Sequence, residues 1–140
     1  MITPNICEMK LIDKLAWIEI KDGRILSTKS YGKDKYYLPG GKREKGETDA
    51  QALCREIKEE LSIDLNAETL QLVGIFQAQA HGHAAGIEVK MTCYRAEYSG
   101  EINAAAEIEE ARWLQHIDKD KISDVDKLIF DFLKERQLIS

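Results

Sequence analysis

One stretch of this chain constrains its fold more than any other: the run from Thr48 to Leu61, entered through Pro39-Gly40-Gly41 and left through Ser62-Ile63. Thr48 is a suitable N-cap, because its hydroxyl can accept a backbone N–H of the first turn. At about 100° per residue, Leu53, Ile57 and Leu61 fall within roughly 80° of one another and form a stripe to be buried. Glu56, Glu59 and Glu60 share an adjacent arc of roughly 100° that borders this stripe. Such an arc is unfavourable on its own. Glu56 and Glu60 are a like-charge pair one turn apart, and all three lie toward the helix C-terminus, whose dipole disfavours anions. Two readings stand at this point. The arc is an ordinary solvated acidic face, or it is a set of hard oxygen donors for a divalent cation. Mg2+ takes a few carboxylates, keeps several waters and bridges to phosphates. In the second reading the Gly40-Gly41 turn brings a bare backbone carbonyl to the same ion, since glycine permits close approach.

The rest of the chain reads mostly as strands. Leu11 to Ile20, around Ala16-Trp17-Ile18, is a predicted strand. Lys21-Asp22-Gly23-Arg24 is a hairpin signal, because Asp-Gly tolerates positive φ at both central positions, and Ile25 to Thr28 is the returning strand. Tyr36-Tyr37-Leu38 is short and β-prone. Leu70 to Ala80 and Ile87 to Tyr98 are longer strands, and Glu110 to Leu114 is another. Ser123 to Arg136 is a second helix, with Leu128, Ile129 and Leu133 as its apolar stripe and Ser123 or Asp124 as its cap. No repeat, low-complexity segment or linker interrupts the order, so residues 1–140 are expected to form one domain. The sequence of elements predicts an α/β (α+β) fold in which helices cover a mixed sheet.

Composition removes several classes. A hydrophobic share of 44% supports a real core, and no apolar run approaches the ~20 residues of a membrane helix. Met1 to Lys10 lacks the basic-then-apolar pattern of a secretory signal. The 20 Lys and Arg against 25 Asp and Glu give a net charge of -5, which argues against non-specific binding to nucleic acid or anionic membrane. Cys7, Cys54 and Cys93 are widely separated and odd in number. They are expected to be reduced thiols of a cytoplasmic protein, neither a disulfide framework nor a zinc site. His81-Gly82-His83 invites a metal reading but sits in a Gly/Ala-rich loop without a third ligand.

Spacing decides between the two readings of the acidic arc. Gly41, five residues, Glu47, seven residues, then Arg55-Glu56-Ile57-Lys58-Glu59-Glu60-Leu61-Ser62-Ile63 resembles the Nudix box, GX5EX7REUXEEXGU with U aliphatic. Every specified position matches except Ser62, where the pattern has Gly. A chance match is below about one in 10⁵ at ordinary residue frequencies. Ser62 ends the helix, where a left-handed residue is usual, so a penalty of roughly 1 kcal/mol and an altered turn toward Asp64 to Asn66 are expected.

The resemblance implies a Nudix-type α/β/α sandwich and hydrolysis of a nucleoside diphosphate linked to a further moiety, with Mg2+ or Mn2+ required. It implies that Glu56, Glu59 and Glu60 ligate metal, with the Gly40 carbonyl as a further ligand and Glu56 as the base in MutT-like members. It also implies that Arg55 and Glu47 form a buried ion pair orienting the carboxylates. Gly41 and Lys42 would lie by the phosphates. An added acid from a later loop is expected to be Glu107, ahead of Glu109 and Glu110. For the nucleotide itself the candidates are Phe76 to stack on the base, Asp124 to hydrogen-bond it and Lys29 to reach a phosphate, in a pocket between the early strands and the second helix. The length resembles the MutT-like branch, so the expected reaction is a nucleoside triphosphate, an oxidised dNTP or a CTP-like nucleotide, going to nucleoside monophosphate and pyrophosphate. ADP-ribose and dinucleoside polyphosphate are the alternative substrates, and a nucleotide-sensing module is the non-enzymatic one. The expected partner is the nucleotide alone, with the chain a monomer or homodimer and no stable nucleic-acid partner.

Overall fold

The computed structural model describes residues 10–80 and 86–140. Four consecutive buried residues show how the core divides. Leu15 and Trp17 point to one side of a sheet, Ala16 and Ile18 to the other, as strand alternation requires. They lie at and just beyond the end of strand β1 (Lys10–Trp17), which is flanked in parallel by β7 (Ile87–Arg95) and antiparallel by β4 (Gly40–Gly41). β6 (Gln71–Gln79) adds antiparallel to β7, giving a mixed sheet of order β4-β1-β7-β6. A second sheet runs β2 (Ile20–Lys21), β3 (Arg24–Ser30) and β9 (Ile108–Leu114), all antiparallel. β5 (Asp64–Leu65) and β8 (Tyr98–Ser99) form a small separate pair.

Helix α1 (Asp49–Leu61) covers the Leu15/Trp17 side with Leu53, Ile57 and Leu61. Helix α2 (Asp124–Glu135) covers the Ala16/Ile18 side with Ile129, Phe130 and Leu133. The result is the expected sandwich of helices about a mixed sheet. Among the described residues no helix is long and apolar enough to cross a membrane.

Local chemistry explains the boundaries. Asp22 (φ 54°) and Gly23 (φ 74°) turn β2 into β3 as the Asp-Gly signal predicts. Thr48 caps α1 in a full capping box, accepting from Gln51 N while Gln51 accepts from Thr48 N. Ser62 ends α1 in the left-handed region (φ 63°, ψ 27°), so the turn keeps the geometry glycine would give it. Cys54 and Cys93 are free thiols, while Cys7 lies outside the described residues.

Four expectations need correction. The first strand is not continuous to Ile20, because the chain leaves β1 after Trp17 and restarts as β2. The strand expected to reach Tyr98 ends at Arg95, and Tyr98–Ser99 pairs elsewhere, with β5. The Gly-Gly turn is itself a short strand paired with β1. Leu128 is exposed and does not belong to the buried stripe of α2; the positions beside Ile129 and Leu133 are taken by Val125, Asp126 and Phe130.

Candidate active site

The entrance to α1 is built by backbone proximity. Gly40 (φ 146°) packs so tightly on β1 that a Cβ would overlap the Leu15 carbonyl, and a Cβ on Gly41 would stand 2.5 Å from the Glu56 carboxyl carbon. Both glycines therefore permit close approach of strand, helix and carboxylate. The following loop is tethered by Arg43, which pairs with Asp13 at 3.2 Å and Asp49 at 2.5 Å, while the Tyr94 hydroxyl donates to Asp49 at 2.5 Å.

Arg55 organises the polar face of α1. Its Nε and Nη2 donate to the two Glu47 oxygens at 2.8 and 2.9 Å, a bidentate pair. Its Nη1 donates to Glu56 at 2.9 Å and lies 3.6 Å from Glu59, and Nη2 also reaches the Lys42 carbonyl at 3.1 Å. The guanidinium holds the Glu47 carboxyl down to about 2, helped by the Glu44 N–H. The expected Arg55–Glu47 pair is thus present, though half-buried.

Glu60 is the buried member of the acidic arc, 4% exposed, and accepts the Gly40 N–H at 3.2 Å. Burial pushes its carboxyl up to about 9; Gly40 opposes that rise, and the neighbouring acids Glu56 and Glu107 add to it. Glu59 is 54% exposed. Glu107 reaches this place because its loop docks on the end of α1. Asn103 N donates to the Leu61 carbonyl and Ala105 N to the Glu60 carbonyl, both at 2.9 Å, which satisfies acceptors the helix terminus leaves open. Of the three acids weighed in this region, Glu109 pairs with Lys29 at 2.5 Å and Glu110 bonds the Tyr36 hydroxyl. Only Glu107 joins Gly40 and Glu60 on the wall of a cavity.

That cavity, about 250 Å3, opens between β1, β3, β7 and the start of α2. Its apolar part includes Ile12, Val89, Met91 and Val125, and two lysines, Lys14 and Lys33, stand on its wall. Thr28, Ser30 and Ser123 add hydroxyls.

The nucleotide-contacting residues named from sequence do not line it. Phe76 packs edge-to-face on Phe132 at 5.2 Å, as a core aromatic does. Asp124 pairs with Lys127 at 3.4 Å, and the cavity takes its neighbours Ser123 and Val125 instead. Lys29 is engaged by Glu109. Lys42 is exposed and contributes its carbonyl to Arg55. Gly41 abuts Glu56. His81 and His83 lie outside the described residues.

Two residues escaped the sequence reading. Asp126 is fully buried, accepts the Leu38 N–H at 2.9 Å and leaves its other oxygen without a partner among the described residues. Burial raises its carboxyl to about 7. Its spacing of three and seven residues from Ile129 and Leu133 was the available signal. Lys14 was signalled by alternation with Ile12 and Ala16 on β1.

Among the described residues no three His, Cys, Asp or Glu side chains enclose a common point. The donors at the acidic end are nevertheless oxygen-only and anionic, the set a hard divalent cation takes. The shared burden of charge on Glu56, Glu60 and Glu107 is of the sign such a cation relieves.

The NUDIX domain family model matches residues 14–131. Among solved structures, the MutT Nudix hydrolase from Burkholderia pseudomallei is 26% identical, with a TM-score of 0.68 over 87% of this chain and 97% of that one. The E. coli ORF135 protein shares the fold at 24% identity, with a TM-score of 0.71 over 93% and 94% of the two chains. A bifunctional NMN adenylyltransferase/ADP ribose pyrophosphatase from Francisella tularensis, complexed with AMP and Mn ion, is 25% identical. Its TM-score is 0.63 over 92% of this chain and 42% of that one. No curated protein matches the sequence.

Proposed function

This chain belongs to the Nudix family, and from that premise we propose that it hydrolyses a nucleoside triphosphate to the monophosphate and pyrophosphate with Mg2+ or Mn2+ bound at the acidic end of the cavity. The observation that carries the reading is the position of Glu60. It is a buried carboxylate facing two further acids at the end of a cavity large enough for one nucleoside. The likeness to a MutT Nudix hydrolase supports the hydrolase reading.

Glu56, Glu59, Glu60, Glu107 and the Gly40 carbonyl would hold the metal, which supplies charge neutralisation on the phosphate oxygens. Glu56 accepts the proton of the attacking water as the phosphoanhydride bond breaks and pyrophosphate leaves. Arg55 fixes the Glu56 and Glu59 carboxyls, and Glu47 fixes Arg55 by two hydrogen bonds. The Gly40 N–H holds Glu60 in place.

Product analysis over a nucleotide panel tests this. Nucleoside monophosphate plus pyrophosphate supports it. AMP plus ribose 5-phosphate from ADP-ribose would replace it with the second reading, which the Francisella likeness favours. Tight nucleotide binding without turnover on the whole panel would leave a sensing module.

A further inference from the structure

Lys14 occupies a position where the strand pattern calls for an apolar residue. On β1 it lies on the same face as Ile12 and Ala16, opposite Met91 of β7, with Ile12 opposite Val89. Ile12 packs on the core beneath α2, and Ala16 and Met91 belong to that core. The residue is half-buried and lines the cavity, so its ammonium is within reach of a ligand bound there. Among the described residues no hydrogen bond and no ion pair reaches Lys14; its charge eases the burial of Asp126 at longer range, and Glu60 and Glu107 share the cavity with it.

We propose that Lys14 determines base specificity by donating a hydrogen bond to the keto oxygen at C6 of a purine or C4 of a pyrimidine seated on Ile12, Val89 and Met91. The inference rests on the nucleotide reading above and narrows its substrate class to keto bases. Two features select a neutral acceptor rather than an anion. The walls beside Lys14 are apolar and suit a ring face. The volume of about 250 Å3 holds one base and sugar, not a second nucleoside. The orientation follows from the fold. Gly40 pairs with Ala16, two residues along β1 from Lys14, a separation of about 7 Å. With the phosphates at the acidic end, the ring edge farthest from the sugar is the edge that meets Lys14. An ammonium only donates, so a keto oxygen satisfies it, whereas the amino group of adenine or cytosine meets it donor to donor.

The test compares pairs that differ at that one position. kcat/KM for ITP against ATP, and UTP against CTP, is measured for the wild type, Lys14→Met and Lys14→Arg. Calorimetric binding of IMP against AMP without metal gives a second readout. The expected result is a keto preference in the wild type that shrinks about tenfold or more in Lys14→Met and is largely retained in Lys14→Arg. A role confined to balancing Asp126 would shift thermal stability and leave the base ratios unmoved, which overturns the inference. So does a wild-type preference for amino bases, or an absence of binding to either monophosphate. Hydrolysis with a ratio indifferent to Lys14 overturns this inference and keeps the proposed function. A Lys14-dependent IMP preference without hydrolysis of any triphosphate does the reverse.

Discussion

Each helix buries one carboxylate, and both carboxylates accept from the same few residues of backbone. Glu60 of α1 takes the Gly40 N–H, and Asp126 of α2 takes the Leu38 N–H, on either side of Pro39. The two acids grip one segment from opposite faces of the sheet, yet their surroundings differ. Glu60 opens on a cavity and faces Glu56 and Glu107. Asp126 is closed in, with Lys14 the charge that eases its burial. A buried acid among other acids makes sense when a cation is to arrive. A buried acid with one backbone partner and no access makes sense as a clamp on chain geometry. The comparison separates a chemical from an architectural use of the same side-chain group.

The largest expected effect breaks that comparison on the chemical side. Glu60→Gln keeps an acceptor for Gly40 and removes a carboxyl that can ionise against an arriving cation. Pyrophosphate release should fall about 100-fold or more, the scale of losing one electrostatic element of a phosphate site. The melting temperature should hold, because the buried Glu60 carboxyl, raised to about 9, is already protonated near neutrality and glutamine is its neutral isostere. Turnover within threefold of wild type would place the chemistry elsewhere.

The architectural side shows in pH. Since the Asp126 carboxyl is raised to about 7, the folded chain keeps a proton there that the unfolded chain sheds near pH 4. Its contribution to stability is complete below the unfolded value and lost as pH rises through the folded one, by up to about 4 kcal/mol. Urea titrations at pH 5 and pH 8 should therefore show a smaller decline for Asp126→Asn than for the wild type. An identical decline in both proteins removes Asp126 from the account. Asp126→Ala at pH 5 should lose about 1–3 kcal/mol, because the Leu38 N–H is left buried without an acceptor. Hydrolysis by the surviving folded fraction should fall far less than in Glu60→Gln.

The same contrast explains what could be read from the sequence. The acidic face of α1 was legible because a helix, its glycine entrance and its carboxylates are all local, and the wheel put Glu60 at the border of the buried stripe. Arg55 and Glu47 are close enough in the chain to be paired by spacing alone. The nucleotide pocket was not legible in this way. Phe76 is settled by Phe132, more than fifty residues later, and Lys29 by Glu109 across two strands. On α2 the wheel was read for apolar residues only, which admitted exposed Leu128 and passed over Asp126. The docking of Asn103 and Ala105 on the end of α1, which delivers Glu107, is a backbone interaction that leaves no mark in side-chain pattern.

The smallest effect sharpens the comparison at the helix ends. Both helix exits hold a left-handed residue that is not glycine: Ser62, the C-cap of α1 (φ 63°), and Gln137, one residue past the Arg136 C-cap of α2 (φ 61°). In each case the Cβ crowds its own backbone, a penalty of roughly 1 kcal/mol that glycine avoids, offset in part by glycine's greater freedom when unfolded. Ser62→Gly and Gln137→Gly should each gain about 0.5 kcal/mol or slightly more in urea unfolding. They should part in activity. The α1 terminus carries the Glu60 carbonyl that receives the Glu107 loop, so the added backbone freedom of glycine at position 62, rather than a new turn geometry, reaches the acidic end of the cavity. The α2 terminus closes on itself through Leu138 N to the Leu133 carbonyl at 3.0 Å, far along the helix from Ser123. Gln137→Gly should therefore leave hydrolysis unchanged. A loss of activity there equal to that in Ser62→Gly would show that the two helix ends are coupled through the sheet, and that the division between chemical and architectural helices is too sharp.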